Sequence, residues 1–192
     1  MNLLITPPEN PLDTPRRSFL ARSGLILSGT AVALLSGREA LAASAGKPGE
    51  SDLRILNTAL AAELEAIAAY QVGAESGLLQ KPVFDLAVTF QGHHKQHAEL
   101  LATTIRKLGG QPDSAKEHYR FPVDVLNNQA DVLRFAAALE KGAVSAYLGA
   151  IPVFANRDLA KAAGSILGDE AMHWAILRHA VGETPVPDAF VY

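Results

Sequence analysis

Acids and histidines recur at helical spacing along this chain, and the clearest pair is Glu170 with His173 in GDEAMHWAILRH, residues 168–179. Residues three apart on a helix lie on one face, so this carboxylate and imidazole can bind one ion together. Leu177 follows on the same face, which places the pair on the buried side of its helix. Burying an unpaired carboxylate is costly, and a bound cation would offset that cost.

Three other stretches with helical periodicity carry an acid or a histidine near the middle of their apolar stripe. Each stripe should be apolar in a soluble protein, so four polar interruptions at the same depth predict one shared site. The candidate metal ligands are Glu63, His94, His97, Glu140, Glu170 and His173.

The two halves of the chain repeat this arrangement. ALAAELEAIAAY at 59–70 aligns with AAALEKGAVSAY at 136–147, and HKQH at 94–97 aligns with EAMH at 170–173. Each half therefore supplies one acid from a first helix and a pair ending in histidine from a second. Two such halves facing each other predict a two-metal site inside a helical bundle. Carboxylate and imidazole ligands suit iron, manganese or zinc.

The elements that position these residues are four predicted helices. No segment alternates with period two, so no sheet is predicted. The first and last connections are short, whereas about twenty residues separate the second helix from the third, which predicts an all-α, antiparallel four-helix bundle with one long crossover. Ser51 or Asp52 is the predicted first cap. The helices run from about Leu53 to Ser76, from Pro82 to the glycines at 109–110, from about Gln129 to Pro152, and from the N-cap Asp158 to about Val181.

Composition limits the protein to one compact domain. The chain has 192 residues, a formal net charge of −3 and no cysteine. It therefore has no disulfide and no thiolate metal site, and no basic stripe that would bind nucleic acid. We predict a signal segment at 1–42, a linker at 43–50, the bundle at 51–182 and an extended tail at 183–192.

The N-terminal segment has the features of an export signal. Arg16 and Arg17 precede a short apolar run at 25–35, and Ala-Leu-Ala at 40–42 offers a cleavage site. The arginine pair resembles the twin-arginine signal, which implies recognition by that export machinery and a periplasmic or other extracytoplasmic location. An uncleaved segment would anchor the protein to the inner membrane. The alternative is an ordinary amphipathic N-terminal helix.

The domain at about 51–181 resembles the exported ferritin-like domain proteins of bacteria, relatives of ferritin and rubrerythrin. The resemblance rests on LNTALAAELEAIAAY, HHKQHAELLATTIRKLGGQP, the crossover YRFP and DEAMHWAILR. It implies a ferritin-like bundle with two divalent ions, iron or manganese before zinc, that react with oxygen or peroxide. The family pattern is Glu, Glu-x-x-His, Glu, Glu-x-x-His on successive helices.

One position departs from that pattern, because His94 stands where the family has a glutamate. The resemblance implies that Glu170 bridges two metals, that Glu63 and Glu140 are terminal carboxylates, and that His97 and His173 are terminal imidazoles. Two divalent ions against three carboxylates leave one positive charge. The site is therefore expected to be asymmetric, to hold one tight and one loose ion, or to have lost the paired-metal chemistry.

Other polar residues receive non-ligand interpretations. Glu65, Glu99 and Asp169 are predicted to be solvated, because each lies about 100° or more from its helix's ligand stripe. Gln91 and His93 are predicted at the rim, with Gln91 and His94 as an alternative ligand pair. Tyr70 and Tyr147 are predicted to pack in the core with a hydroxyl partner, rather than to act in redox chemistry, and Trp174 is predicted to pack. His118 and His179 are predicted at the surface.

Three functions fit the sequence. The first is a di-metal oxidoreductase, the second a metal-sequestering or stress-protection bundle without turnover, and the third a structural bundle with a vestigial polar core. A homo-oligomer is compatible with the sequence, but nothing in it indicates a mineral-storing cage.

Overall fold

The computed structural model describes residues 48–191, and within this range the chain forms four long helices and no strand. The all-α four-helix prediction is confirmed. The predicted signal segment and most of the predicted linker lie outside the described residues. Short 3₁₀ turns cover Val123–Val125 and Ile151–Val153. The helices are α1 (Pro48–Glu75), α2 (Lys81–Lys107), α3 (Gln129–Ala150) and α4 (Arg157–Ala180).

The helices form two hairpins, α1 with α2 and α3 with α4, joined by the crossover at 108–128. Helices α1 and α3 run in opposite directions where they meet. Tyr70 contacts Glu140 and Glu63 contacts Tyr147, so residues later in one helix face residues earlier in the other. The predicted repeat therefore corresponds to an approximate twofold relation between the hairpins.

The start of α1 differs from the prediction. The helix begins at Pro48 and so includes three residues assigned to the linker, and neither predicted cap residue lies at its end. Asp52 is buried instead. Its carboxylate accepts hydrogen bonds from the backbone N–H groups of Ala155 and Asn156 at 2.9 and 3.0 Å. This acid ties α1 to the connection before α4, a long-range contact that a local capping pattern does not reveal.

Asparagines begin the second hairpin. The side chain of Asn128 caps α3 by accepting from the backbone N–H of Asp131. Asn156 caps α4 by accepting from the N–H of Asp158 at 2.9 Å. Asp158 was the predicted cap, but it lies inside the first turn, where its negative charge faces the positive end of the helix dipole.

The apolar core of the described residues has three clusters, and a polar layer lies between the two larger ones. The first includes Ile55, Ile105 and Ile166, the second includes Phe90 and Leu177, and the small third cluster consists of Ala69, Phe135 and Leu139. Across 48–191, no helix is both long and apolar enough to span a membrane.

Candidate metal centre

The structure brings the six predicted ligand residues together in the polar layer between the two larger core clusters. Each helix contributes at the depth where its apolar stripe is interrupted. Five of the six are at most 3% exposed, and the side chain of His97 is 14% exposed. So many ionisable groups are rarely buried together unless they are paired or bind a cation.

The six residues form two overlapping groups of four, in each of which the donor atoms lie within 4.8 Å of one another. Glu63 and His97 belong to the first group, and Glu140 and His173 to the second. His94 and Glu170 belong to both. This is the arrangement of a two-ion site in which two residues are shared.

Glu170 lies between the two terminal histidines. Its Oε1 is 3.1 Å from His97 Nδ1, and its Oε2 is 3.2 Å from His173 Nδ1. One carboxylate oxygen thus faces each half of the bundle, which is the geometry that a bridging ligand requires.

His94 occupies the other shared position, with one ring nitrogen toward each half. Its Nδ1 is 2.8 Å from Glu63 Oε2, and its Nε2 is 3.3 Å from Glu140 Oε1. A neutral imidazole has only one free lone pair, so His94 can ligate one ion but cannot bridge two as a carboxylate does. The departure seen in the sequence therefore makes the two halves chemically unequal.

Several inward-facing atoms make no well-aligned hydrogen bond among the described residues, although His97 Nδ1 and His173 Nδ1 lie 3.1 and 3.2 Å from the Glu170 oxygens. A buried polar atom without a partner destabilises the fold, and natural proteins leave few of them. Each atom here is a nitrogen or oxygen of a metal-ligand type, and all belong to one cluster, so this donor set fits divalent cations. The atoms are His97 Nδ1, Glu140 Oε2, both carboxylate oxygens of Glu170, and His173 Nδ1.

Two tyrosines hold the terminal carboxylates across the bundle. The Tyr147 hydroxyl donates to Glu63 Oε1 at 2.5 Å, and the Tyr70 hydroxyl donates to Glu140 Oε1. Each tyrosine serves the glutamate of the opposite hairpin. The predicted core packing with a hydroxyl partner is confirmed, and burial beside these carboxylates raises both tyrosine pKa values well above 10. Both phenols remain protonated donors.

The prediction that Asp169 is merely solvated is wrong. Its Oδ2 lies 3.1 Å from His93 Nδ1, 3.4 Å from His97 Nε2 and 3.3 Å from His173 Nε2. Asp169 precedes Glu170, and its side chain leaves α4 toward α2 while remaining 24% exposed to solvent. The sequence signal was available, since the residue before the helix-4 acid aligns with His93, the residue before His94.

The alternative ligand pair of Gln91 with His94 is not formed. The Gln91 side-chain amide donates to the carbonyl of Ile67 at 3.0 Å and to Gln71 at 2.9 Å, and its oxygen accepts from Lys95. Gln91 is therefore buried against α1, and its amide bonds to groups outside the cluster. The prediction that Gln91 lies at the rim is also wrong.

The remaining polar residues behave largely as predicted. Glu99 is exposed, as are His118 and His179, and Trp174 packs against the second core cluster. Glu65 differs, because it is half-buried, and that burial raises its pKa although Lys116 partly opposes the shift.

The charged side chains of the cluster shift one another's pKa values. Burial lowers the pKa of His94, but hydrogen bonds to Glu140 and Glu63 outweigh it and raise the pKa to about 11. Burial raises the pKa of Glu140, but hydrogen bonds to His173 and His94 lower it by more, so the net shift is downward.

The two terminal histidines follow the same balance. Burial lowers the pKa of each, while the carboxylates of Glu170 and Glu63 raise that of His97 to about 9, and those of Glu140 and Glu170 raise that of His173 to about 9. At neutral pH, three protonated imidazoles thus face three carboxylates. These protons must leave before the nitrogens can bind a metal.

An apolar cavity reaches the cluster between α1 and α3. Its volume is about 40 Å³, it is partly open to solvent, and Glu63, His94 and Glu140 are among its lining residues. Half of its fourteen lining residues are alanine or glycine, including Ala62 and Ala143. Apolar surface therefore lies directly beside three of the candidate ligands.

Comparison with known proteins identifies the family of this chain. The model of the Ferritin-like domain matches residues 51–183. No curated protein matches the chain. One similar solved structure is a conserved hypothetical protein, rv2844, from Mycobacterium tuberculosis. It is 23% identical, with 75% of this chain and 99% of that chain covered and a TM-score of 0.65.

A second similar structure comes from Bacillus anthracis str. Ames and is described as belonging to ferritin like, diiron-carboxylate proteins. It is 20% identical, with 71% of this chain and 99% of that chain covered and a TM-score of 0.62. Both likenesses concern the fold. With the match over residues 51–183, the chain belongs to the Ferritin-like domain family.

Proposed function

We propose that this protein binds two divalent metal ions, iron or manganese before zinc, at the six-residue cluster. The observation that carries the proposal is the set of buried, inward-facing ligand atoms that make no well-aligned hydrogen bond among the described residues. Likeness to a structure described as diiron-carboxylate supports the same conclusion. Two ions would replace the protons that now balance the carboxylates.

The chain's own residues fall into distinct roles under this proposal. Glu63 and His97 serve one ion, Glu140 and His173 serve the other, and Glu170 bridges them. His94, as a neutral imidazole, binds only one of the two. The ions are therefore unequal, and we expect one of them to be held more tightly.

Asp169 and the tyrosines orient these ligands. Asp169 Oδ2 lies 3.4 and 3.3 Å from the outer Nε2 atoms of His97 and His173, and its negative charge there favours the tautomer that presents Nδ1 to the metal. The Tyr147 and Tyr70 hydroxyls each engage one oxygen of a terminal glutamate, which limits rotation of those carboxylates.

We further propose that the loaded protein is an oxidoreductase that uses oxygen or peroxide. The metal ions, when bound, supply the electrons, whereas the protein supplies orientation and a water-poor site. The apolar cavity favours a small oxidant, because its small-residue wall offers little to a charged substrate and lies beside Glu63, His94 and Glu140.

The second candidate is a metal-sequestering bundle without turnover. His94 is the observation that favours this candidate. A site with only one bridging carboxylate holds its second ion weakly, and the di-metal reaction requires both ions. A vestigial structural bundle is the third candidate, and it differs from the first two in binding no metal.

Export through the twin-arginine machinery to the periplasm completes the proposal. It rests on the Arg16–Arg17 pair and the short apolar run that follows. Changing both arginines to lysine should leave the precursor in the cytoplasm, whereas equal periplasmic yield would contradict the proposal.

Anaerobic loading with Fe²⁺ followed by mixing with oxygen or peroxide tests the function. An oxidoreductase should consume the oxidant repeatedly when a reductant is present and faster than free Fe²⁺ does. Glu99→Gln, an exposed change on α2, is the matched control and should react as the parent does. Metal binding without oxidant consumption would leave only the sequestering function, and no binding would remove both.

A further inference from the structure

A second group of ligand-type side chains lies outside the buried cluster, on the seam between α2 and α4. His93 and Asp169 occupy equivalent positions in the two halves, each directly before a residue of the inner cluster. His93 Nδ1 is 3.1 Å from Asp169 Oδ2 and 2.9 Å from His173 Nε2. Asp169 Oδ2 is 3.3 Å from the same His173 nitrogen. The three donor atoms lie within 4.8 Å of one another, close enough to hold one ion.

Exposure distinguishes this outer group from the inner one. The side chain of His93 is 38% exposed and that of Asp169 is 24% exposed, whereas Glu140, Glu170 and His173 are at most 1% exposed. An ion that reaches the inner cluster from water must pass some set of side chains. His93 and Asp169 are water-facing, of ligand type and in direct contact with an inner histidine.

We propose that His93, Asp169 and the outer nitrogen of His173 form a loading site for one divalent transition-metal ion on its way to the buried cluster. Two imidazoles and a carboxylate suit Mn²⁺, Fe²⁺, Co²⁺ and Zn²⁺. The buried cluster as destination rests on the proposed function, but binding at the outer site can be measured without it.

His173 gives the outer site its transient character. Its Nε2 faces His93 and Asp169, and its Nδ1 faces Glu170 and Glu140. A neutral imidazole offers one lone pair, so His173 binds an ion outside or inside, not both. When the ion moves to Nδ1, that nitrogen releases its proton and Nε2 takes one up, so the imidazole stays neutral. The Nε2–H group then donates a hydrogen bond to Asp169. The outer site then keeps only two ligands and releases any further ion readily.

A purely orienting role for the outer group makes a different prediction. In that role His93 and Asp169 would only hold His173 Nε2, which they contact at 2.9 and 3.3 Å. Loss of His93 would then lower the affinity and the final occupancy of the buried cluster, whereas loss of a loading site would lower the rate of uptake alone. The behaviour of His93 variants therefore separates loading from orientation.

The first experiment follows Co²⁺ uptake by the full metal-free protein, using the absorption of the bound ion in a stopped-flow instrument. His93→Ala should load about tenfold more slowly than the parent and reach the same final occupancy. Gln96→Ala on the same helix and His118→Ala in the crossover are controls and should load at the parental rate. A parental rate in His93→Ala would overturn the proposal.

The second experiment isolates the outer site. Changing Glu63, Glu140 and Glu170 to Gln removes the inner carboxylates, and circular dichroism checks that the bundle still forms. This triple variant should retain one Co²⁺ per chain, and adding His93→Ala should release it. Retention of the ion after that addition would overturn the loading site. Failure of the proposed function is distinguishable, because a parent that binds only one Co²⁺, lost with His93→Ala, has an outer site and no functional inner one.

Discussion

The two hairpins of this bundle share one architecture but contribute different chemistry. At equivalent positions, the α1–α2 hairpin supplies His93 and His94, whereas the α3–α4 hairpin supplies Asp169 and Glu170. Each hairpin also supplies one glutamate and one terminal histidine. The first half is therefore rich in imidazole and the second in carboxylate. The contacts between α2 and α4 therefore join imidazoles to carboxylates. The two hairpins repeat one fold, but their site residues carry complementary charges.

This difference also sets the charge pairs inside the cluster. Protonated His94 lies within 3.5 Å of carboxylate oxygens from both halves, namely Glu63, Glu140 and Glu170. Such buried pairs offset their desolvation only when their partners are all present. The asymmetry that weakens a two-ion site thus stabilises the apoprotein.

Removing the shared carboxylate should have the largest effect on this comparison. Glu170→Ala takes away the residue that faces both terminal histidines, so each half loses a ligand at once. We expect metal affinity to fall by at least about 100-fold and occupancy to drop below one ion per chain. Titration with Mn²⁺ under equilibrium dialysis measures both. Glu99→Ala is the control, and near-parental binding by Glu170→Ala would contradict the bridging role.

Restoring equality between the halves should sharpen binding. His94→Glu supplies a second carboxylate between the ions, which stabilises both in a dry interior and removes the residual positive charge. The second ion should bind about tenfold more tightly, and the reaction with oxygen or peroxide should be faster. His94→Ala should lose affinity, and Gln91→Ala should change little. Weaker binding in Gln91→Ala with no change in His94→Glu would contradict the assignment.

The protonated imidazoles of both halves make metal binding depend on pH. The histidine pKa values of about 11, 9 and 9 lie above neutrality, so each nitrogen must lose a proton to bind an ion. Affinity should rise with pH through about 9 and continue to rise toward about 11, with protons released on loading. Isothermal titration in buffers of different ionisation enthalpy counts those protons. Proton uptake, or a flat profile from pH 6 to about 9, would contradict this account.

Stability of the apoprotein should show the opposite trend. The pKa of His94 rises from 6.5 in the unfolded chain to about 11 in the fold. Its contribution is therefore complete below pH 6.5 and disappears as pH rises through about 11. Metal-free protein should melt at a lower temperature at pH 9 than at pH 6.5, and His94→Gln should reduce that difference. If the melting temperatures at the two pH values differ equally in the variant and the parent, groups other than His94 cause the pH dependence.

The smallest expected effects concern the two tyrosines, which test whether the halves are equally supported. Tyr147→Phe leaves Glu63 Oε1 without its donor, and Tyr70→Phe leaves Glu140 Oε1 with the longer 3.3 Å contact to His94, so each change should cost about 1–3 kcal/mol of folding free energy. Denaturant unfolding measures this, with Tyr119→Phe in the crossover as a control. Similar losses would support the twofold relation, and a loss in only one variant would contradict it.

Much of this molecule was predictable from periodicity because each helix buries one stripe. The four helices, the crossover and the convergence of the Glu63 and Glu140 halves all follow from that rule. Asp169 was misassigned because an angle from the ligand stripe does not tell which neighbouring helix fills that direction. Asp52 was misassigned because its partners lie about a hundred residues away in sequence. Local rules predict helices well but not the long-range partner of a buried acid.

Elemental analysis of the protein purified from its native compartment shows whether the polar layer holds metal. We expect up to two divalent ions per chain, iron or manganese foremost. We also expect a lower melting temperature after chelation, restored by adding the same metal, because ligand-bound native protein is favoured over unfolded chain. Purified protein with no bound metal, and with the same melting temperature with and without Fe²⁺ or Mn²⁺, would contradict metal binding by the polar layer.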